Sequence, residues 1–451
     1  MKLMEIPYKR PDVDALIEKC AKLTADFANA ESAAEQIRIF KEFEEEKGHF
    51  STYMCLSNIR NSVDTEDPFY IEEQAFYDKV SPRATQCFNE FTKGIIESKF
   101  IDELRKEFGD YFFDCMEMDQ KIFSPEIMDL MAEENELTSK YEQLYASARI
   151  EFEGKICNVS QLSAYRQSPD RAIRKAAIEA EGKFFDSLQD EIEEIYDRLV
   201  KNRTKQAKIL GFENYVEVAY LMNHRSYKKE DVAKFRQQVL EVMVPKNVEY
   251  KKLQAERIGI EDFKFYDDDF FFADGNPMPK YSTKEILERA QKMFGEMSPE
   301  TKELIDLMMD KNLFDIEARN GKRNAGYCVT IQDFGYPFIF SNSNGTSGDV
   351  KTLTHECGHA LAAYTTQKLI EYPALRHAPM EACETHSMSM EFLTSPWHHL
   401  FFEEDAAKYS EHLAKSASLF IPYSVIVDYW QELVYTNPDW TKEERNQAWL
   451  E

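Results

Sequence analysis

His355 and His359 stand four residues apart in TLTHECGHAL (residues 352–361), with Glu356 beside the first of them. An α-helix turns about 100° per residue, so positions i and i+4 lie one above the other and both imidazoles can aim at one point. Glu356 is rotated one step aside. It is too far round to share that point, yet close enough to hold a water bound to a metal between the histidines. Metal-assisted hydrolysis requires this division of labour. The plain alternative is a pair of ordinary core histidines. Against it, seven of the nine histidines (355, 359, 377, 386, 398, 399 and 412) fall in one stretch of the chain. His377, His398, His399 and His412 are read as structural.

Zinc takes a third protein ligand and keeps a fourth position open. Downstream, MEACETHSMSMEFL (380–393) places Glu381, Glu384, Met388 and Glu391 at steps of three and four on one face of a second helix, ended by Pro396. A carboxylate stripe on an acidic protein is usually solvated, and Glu381 is read that way. Glu384 and Glu391 have Cys383, Met388, Met390, Phe392 and Leu393 as neighbours. That face is expected against protein, where an unpaired carboxylate is expensive and a metal would neutralise it.

Several elements must position these side chains. Val350, Leu353, Cys357, Leu361 and Tyr364 form an apolar stripe beside the histidines. Gly358 costs the helix about 1 kcal/mol relative to alanine, a cost that close approach of another backbone would offset. Just upstream, YCVTIQDFGYPFIFSN (327–342) reads as two β-rich runs around a turn, and NSNGTSGD (342–349) as a flexible loop into the histidine helix. A small hairpin is predicted in RIEFEGKICNV (149–159).

The rest is mostly helical. Val13, Leu16, Cys20, Leu23 and Phe27 make an amphipathic stripe after Pro11, a pattern repeated by Leu188, Ile192, Ile195 and Leu199 and by Val232, Phe235, Val239 and Val242. A break near Ser168–Pro169 divides a helical N-terminal lobe with its hairpin, residues 1–165, from a second domain, residues 166–451. DDDFFFADGNPMPK (267–280) is a turn-rich insertion in the latter.

With 43% hydrophobic and 30% charged residues, the 451-residue chain is a folded globular protein. Its net charge of −27 repels phosphate backbones and anionic lipid, which argues against nucleic acid or membrane surfaces as partners and leaves short peptides open. It has no eighteen-residue apolar run, and its start, MKLMEIPYKRPDVDAL, lacks the features of a signal peptide. The expected location is cytoplasmic. The eight cysteines lie singly and read as reduced thiols, mostly small buried hydrophobes, Cys357 and Cys383 included.

GYPFIFSNSNGTSGDVKTLTHECGHAL followed by ETHSMSME resembles the M3 family of zinc metallopeptidases, in its oligoendopeptidase F branch. The likeness extends through SPDRAIRKAAIEAEGKFF, YDRLVKNRTKQAKILGFENY and FIPYSVIVDYW, and so covers most of residues 160–451. It implies a mainly α, gluzincin-like fold of many helices, with a small β-sheet next to the zinc helix. It also implies one zinc per chain, held by His355, His359 and Glu384, with Glu356 as general base and short peptides as substrates. Glu391 and Asp349 become candidates to accept a histidine N–H, although Asp349 can equally serve the helix dipole. His386, as a donor or merely a polar neighbour, and Gly345 are candidates on the substrate side.

The likeness further implies that the run YPFIFSNSNG is an edge strand and loop on which a peptide lies extended. Members of the family continue beyond the segment resembling DWTKEERNQAWLE, with a histidine and tyrosines that steady the oxyanion. This chain is therefore expected to carry the zinc-binding half of the site and an incomplete catalytic half, since losing such donors costs a factor of about a hundred or more. The competing reading is a non-catalytic peptide- or metal-binding protein built on the same fold.

Overall fold

Asp12, following Pro11, starts the first helix (Val13–Asn29) by accepting the Ala15 N–H, and the helix buries the five residues of the stripe, Val13, Leu16, Cys20, Leu23 and Phe27. The computed structural model, which describes residues 1–451, is helical along most of its length. Helices Ala33–Val63 and Pro68–Ile96 pack on the first through an aromatic core in which Phe43 and Phe91 stack with ring centroids 3.8 Å apart. Residues near the start of the chain also pack into the site-bearing part. Leu3, Ile6, Leu56 and Ile59 share one apolar cluster with Ile339, Phe340, Val350, Leu353 and Cys357.

The hairpin pairs β1 (Ile150–Phe152) with β2 (Lys155–Cys157). Its two turn residues, Glu153 and Gly154, both have positive φ, as the tightest hairpin turns require. A second sheet contains β3 (Phe314–Glu317), β4 (Tyr327–Ile331) and β5 (Tyr336–Ser343) in the order β3-β5-β4. β5 runs parallel to β3 and antiparallel to β4. This corrects the expectation of an edge strand at residues 336–343: β5 is central, and the two edges without a strand partner belong to β3 and β4. The physical reason lies in β5 itself. Phe338, Ile339 and Phe340 are all buried, the continuous apolar run of a strand covered on both faces.

Lys322 locks this sheet from below. Its buried ammonium donates to the Asp315 carboxylate at 2.7 Å and to the carbonyls of Glu317 and Ser341 at 3.0 and 2.6 Å. Burial pulls the ammonium down to about 8 against the attraction of Asp315.

A stripe read on residues 232–242 does not face the core. Helix Lys229–Gln238 passes through a π-turn at Val239–Met243 before continuing as Val244–Ile258. The wider turn shifts the phase of the pattern, leaving Val239 buried while Phe235 and Val242 are exposed. No helix is long and apolar enough to cross a membrane. All eight cysteines are free.

The long helix Arg171–Ile209 is anchored at its start by a buried charge cluster. Asp267, fully buried, accepts from Arg171 and from Arg174, itself 1% exposed. Burial pushes the Asp267 carboxyl up, but the two guanidinium groups and the Lys264 N–H outweigh it and hold it at about 2. A depressed carboxyl adds stability above its unfolded value, near 4, and loses it as pH falls through the folded value. Asp267→Asn should cost about 3–5 kcal/mol at pH 7, measured by urea unfolding. The deficit should shrink between about pH 4 and pH 2; a deficit that persists unchanged across that window would reject the ion-pair account.

Candidate active site

The histidine helix (Ser347–Leu369) follows β5 through a loop that it holds in place itself. Asp349, in its first turn, accepts the backbone N–H groups of Asn344 and Gly345 at 2.9 and 2.8 Å. Both carboxylate oxygens are thereby committed to the loop, and neither serves a histidine. Burial raises the carboxyl to about 6 despite these donors. Gly345 is exposed, with φ +88°, a conformation that favours glycine. Its N–H is spent on Asp349.

On this helix Val350, Leu353 and Cys357 face the apolar core, while His355 and His359 project together on another side. The glutamate helix (Met380–Leu393) crosses at Gly358. A Cβ placed on Gly358 would lie 2.7 Å from both the His386 carbonyl oxygen and the Ser387 Cα. The missing side chain lets the two backbones touch, and Glu384 is carried over the histidines. Glu384 Oε2 lies 3.3 Å from His355 Nε2, and Glu384 Oε1 lies 3.8 Å from His359 Nε2. One donor atom from each of the three residues falls within 4.8 Å of the others.

Two groups fix the orientation of this trio. His355 Nδ1 lies 2.8 Å from Glu391 Oε1, and Glu391 is 2% exposed. The Ser387 hydroxyl donates to Glu384 Oε2 at 2.9 Å. For His355, burial opposes the charged form, but Glu391, Glu356 and Glu384 together raise its pKa. For His359 burial prevails and lowers it. Two imidazole nitrogens and a carboxylate are a donor set suited to zinc, and the shorter separation is about what two donors roughly 2 Å from one ion present in a tetrahedral arrangement. The residues fit the metal.

Glu356 stands next to the trio without joining it. It is buried, and its Oε2 has no hydrogen-bond partner in the protein. Burial, reinforced by the like charge of Glu384 and opposed by His355, pushes the carboxyl up to about 7. Gly326, at the entry to β4, faces it: a Cβ there would lie 3.7 Å from Glu356 Oε1 and from Thr352 Cγ2. The unpaired edge of β4 therefore begins beside the candidate base.

The remaining histidines stay outside the donor set. His386 is exposed, two residues beyond Glu384. His377 and His399 are exposed as well. His398 is buried, its Nδ1 2.8 Å from the Ser410 hydroxyl, and burial pushes it down to about 4. His412 packs its ring edge-on against Phe271 at 4.4 Å. Cys357 lies in the core and Cys383 is part-exposed.

Sequence reasoning missed Ser387, Gly326 and the partners of Glu381. Glu381 is half-exposed, but it also accepts hydrogen bonds from the Tyr227 hydroxyl and from Arg225 Nε, which tether the first turn of the glutamate helix. A glycine at the entry to a strand was the available signal for Gly326, because such glycines mark close approach.

Two family models match the chain: the peptidase M3 N-terminal domain over residues 3–123, and peptidase family M3 over residues 164–448. Among solved structures, a protein assigned as an oligoendopeptidase F from Bacillus anthracis str. Ames is 44% identical, with a TM-score of 0.98 over 100% of this chain and 83% of that one. PZ peptidase A is likewise 44% identical, with a TM-score of 0.98 over 99% of this chain and 80% of that one. The chromosomal oligoendopeptidase F of Lactococcus lactis subsp. cremoris is 26% identical over 202 residues, which are 45% of this chain and 33% of that protein. The alignment thus spans about a third of the relative's length. With one of its models covering well over half of the residues, peptidase family M3 is the family to which this chain belongs.

Proposed function

We propose that the chain is a zinc-dependent endopeptidase that hydrolyses short oligopeptides in the cytoplasm. The observation that carries this reading is the convergence of His355, His359 and Glu384 beside a buried Glu356 whose Oε2 has no partner. In this reading His355 Nε2, His359 Nε2 and the Glu384 carboxylate hold the metal. Zinc bound there supplies Lewis acidity, acidifying a water and polarising the carbonyl of the bond to be cut.

The chain's own residues do the rest. Glu391 keeps the Nδ1–H of His355 and thereby presents Nε2 to the site, while Ser387 steadies Glu384. A peptide paired along the free edge of β4 passes Gly326, where no side chain intervenes between it and Glu356. Main-chain pairing of this kind accepts many sequences. Glu356 takes the proton from the attacking water and delivers it to the leaving amine.

The test joins metal content to cleavage. Dialysed protein should retain about one zinc per chain and cut internally quenched short peptides, and a chelator should stop cleavage until zinc is restored. Protein without stoichiometric zinc would reject the metal assignment. Zinc without cleavage of peptides of any length would favour the non-catalytic binding protein instead.

A further inference from the structure

One helical turn before Glu356, on the same side of the histidine helix, the structure holds a cavity of about 210 Å³ between the end of β5 and the start of the helix. Its wall is polar throughout. Ser341 and Ser343 come from β5, Thr352 from the helix and Ser160 from the segment after the hairpin; Asn342 and Asn344 complete the amide part. No hydrocarbon side chain lines it, and no lysine, arginine or histidine.

Three of these hydroxyls are unused. Ser160 donates to the Asn342 carbonyl, but Ser341, Ser343 and Thr352 make no side-chain hydrogen bond within the protein. Ser341 is only 6% exposed, and it lines the cavity. The Asn342 carboxamide nitrogen donates to the Arg323 and Ala325 carbonyls, which leaves its buried oxygen as an acceptor without a donor. The Ser341, Ser343 and Thr352 hydroxyls are open to the cavity rather than sealed in the protein, so an occupant that brings both a donor and an acceptor can pair with them there.

Charge narrows the occupant further. Asp349, the one charged residue of the lining, spends both oxygens on backbone N–H groups, and no cationic side chain lines the cavity to neutralise an anion beside it. An apolar group would leave the hydroxyls unpaired. Hydroxyl and carboxamide side chains meet all of these conditions. Thr352 lies beside both the cavity and Gly326, one turn (about 5.4 Å) from Glu356. An extended peptide rises about 3.3 Å per residue, which places the cavity within two residues of the bond facing Glu356.

We infer that this cavity is a specificity subsite for a neutral hydrogen-bonding side chain, serine, threonine, asparagine or glutamine, within two residues of the scissile bond. The inference rests on the peptidase reading above. Its test is equilibrium binding of acetylated alanine hexapeptides to the zinc-loaded chain carrying Glu356→Gln, with threonine against valine and asparagine against leucine at each position in turn. Each pair matches size and removes polarity. At one position the polar member should bind about tenfold or more tightly, and Thr352→Val or Ser341→Ala should shrink that preference to within about twofold. Two variants are used so that a folding failure in either leaves the other decisive. Binding without polar preference, or a preference that survives both substitutions, overturns the subsite alone. Failure of every peptide to bind overturns the peptidase reading, and the subsite with it.

Discussion

Glu356→Gln should leave the zinc content of the chain unchanged and lower peptide cleavage about 10²–10⁴-fold. Glutamine has the same shape, so the space facing Gly326 stays filled. The donor set of His355, His359 and Glu384 does not include this residue, and metal retention should survive. What disappears is a carboxylate able to take a proton from water and return it to an amine, a task no carboxamide performs. Stability should hold or rise, because burial already disfavours the charged form of Glu356. The measurements are metal analysis, cleavage of a quenched peptide and a thermal melt of both proteins. Cleavage within about tenfold of the parent would remove Glu356 from the chemistry, and loss of zinc would move it into the donor set.

Much of this arrangement was legible in the sequence, and the pattern of what was not is physical. Helix faces were readable where tertiary burial follows a 3.6-residue period, as in the five residues from Val13 to Phe27. The same reading failed at residues 232–242, because a π-turn inserts extra rotation that no local residue pattern announces. Strand positions 327–331 and 336–343 were evident, but strand order was not. Which strand lies in the middle depends on long-range pairing, and the β5 edges are occupied by residues 314–317 and 327–331.

The candidate site divides in the same way. His355, Glu356 and His359 are local, and their geometry follows from helix pitch alone. Glu384 was legible through the family resemblance, since nothing in its spacing from His359 dictates that two helices cross. The burial expected from its apolar neighbours holds for Glu391 but not for Glu384, which is part-exposed, and Phe392 and Leu393 are exposed as well. The polar clamp on Glu381 by Arg225 and Tyr227 joins segments more than 150 residues apart, and an acidic residue on an acidic protein gives no local sign of such a partner. Gly358 is the link between the local and the distant parts, because it was flagged by cost and explained by contact.

That contact carries the second large expected effect. In an ordinary exposed helix, alanine in place of glycine adds up to about 1 kcal/mol of stability. Gly358→Ala should do the opposite. The new Cβ would meet backbone atoms, the His386 carbonyl oxygen and the Ser387 Cα at 2.7 Å, and backbone cannot swing aside as a flexible side chain can. The helices must part by about 1 Å to restore normal carbon contacts. Overpacking of this kind costs about 1–3 kcal/mol. Glu384 and Ser387 ride on the displaced helix, so the carboxylate withdraws from the imidazoles. A misplacement of about 1 Å at reacting groups lowers turnover about 10²-fold, and zinc affinity should fall by a similar factor. Gly182→Ala is the internal comparison: it lies in the helix Arg171–Ile209, with nothing within 4 Å of an added Cβ. Chelator competition, cleavage rate and thermal melting should separate the two substitutions in all three readouts. Identical behaviour would mean that the crossing at Gly358 does not hold Glu384 in place.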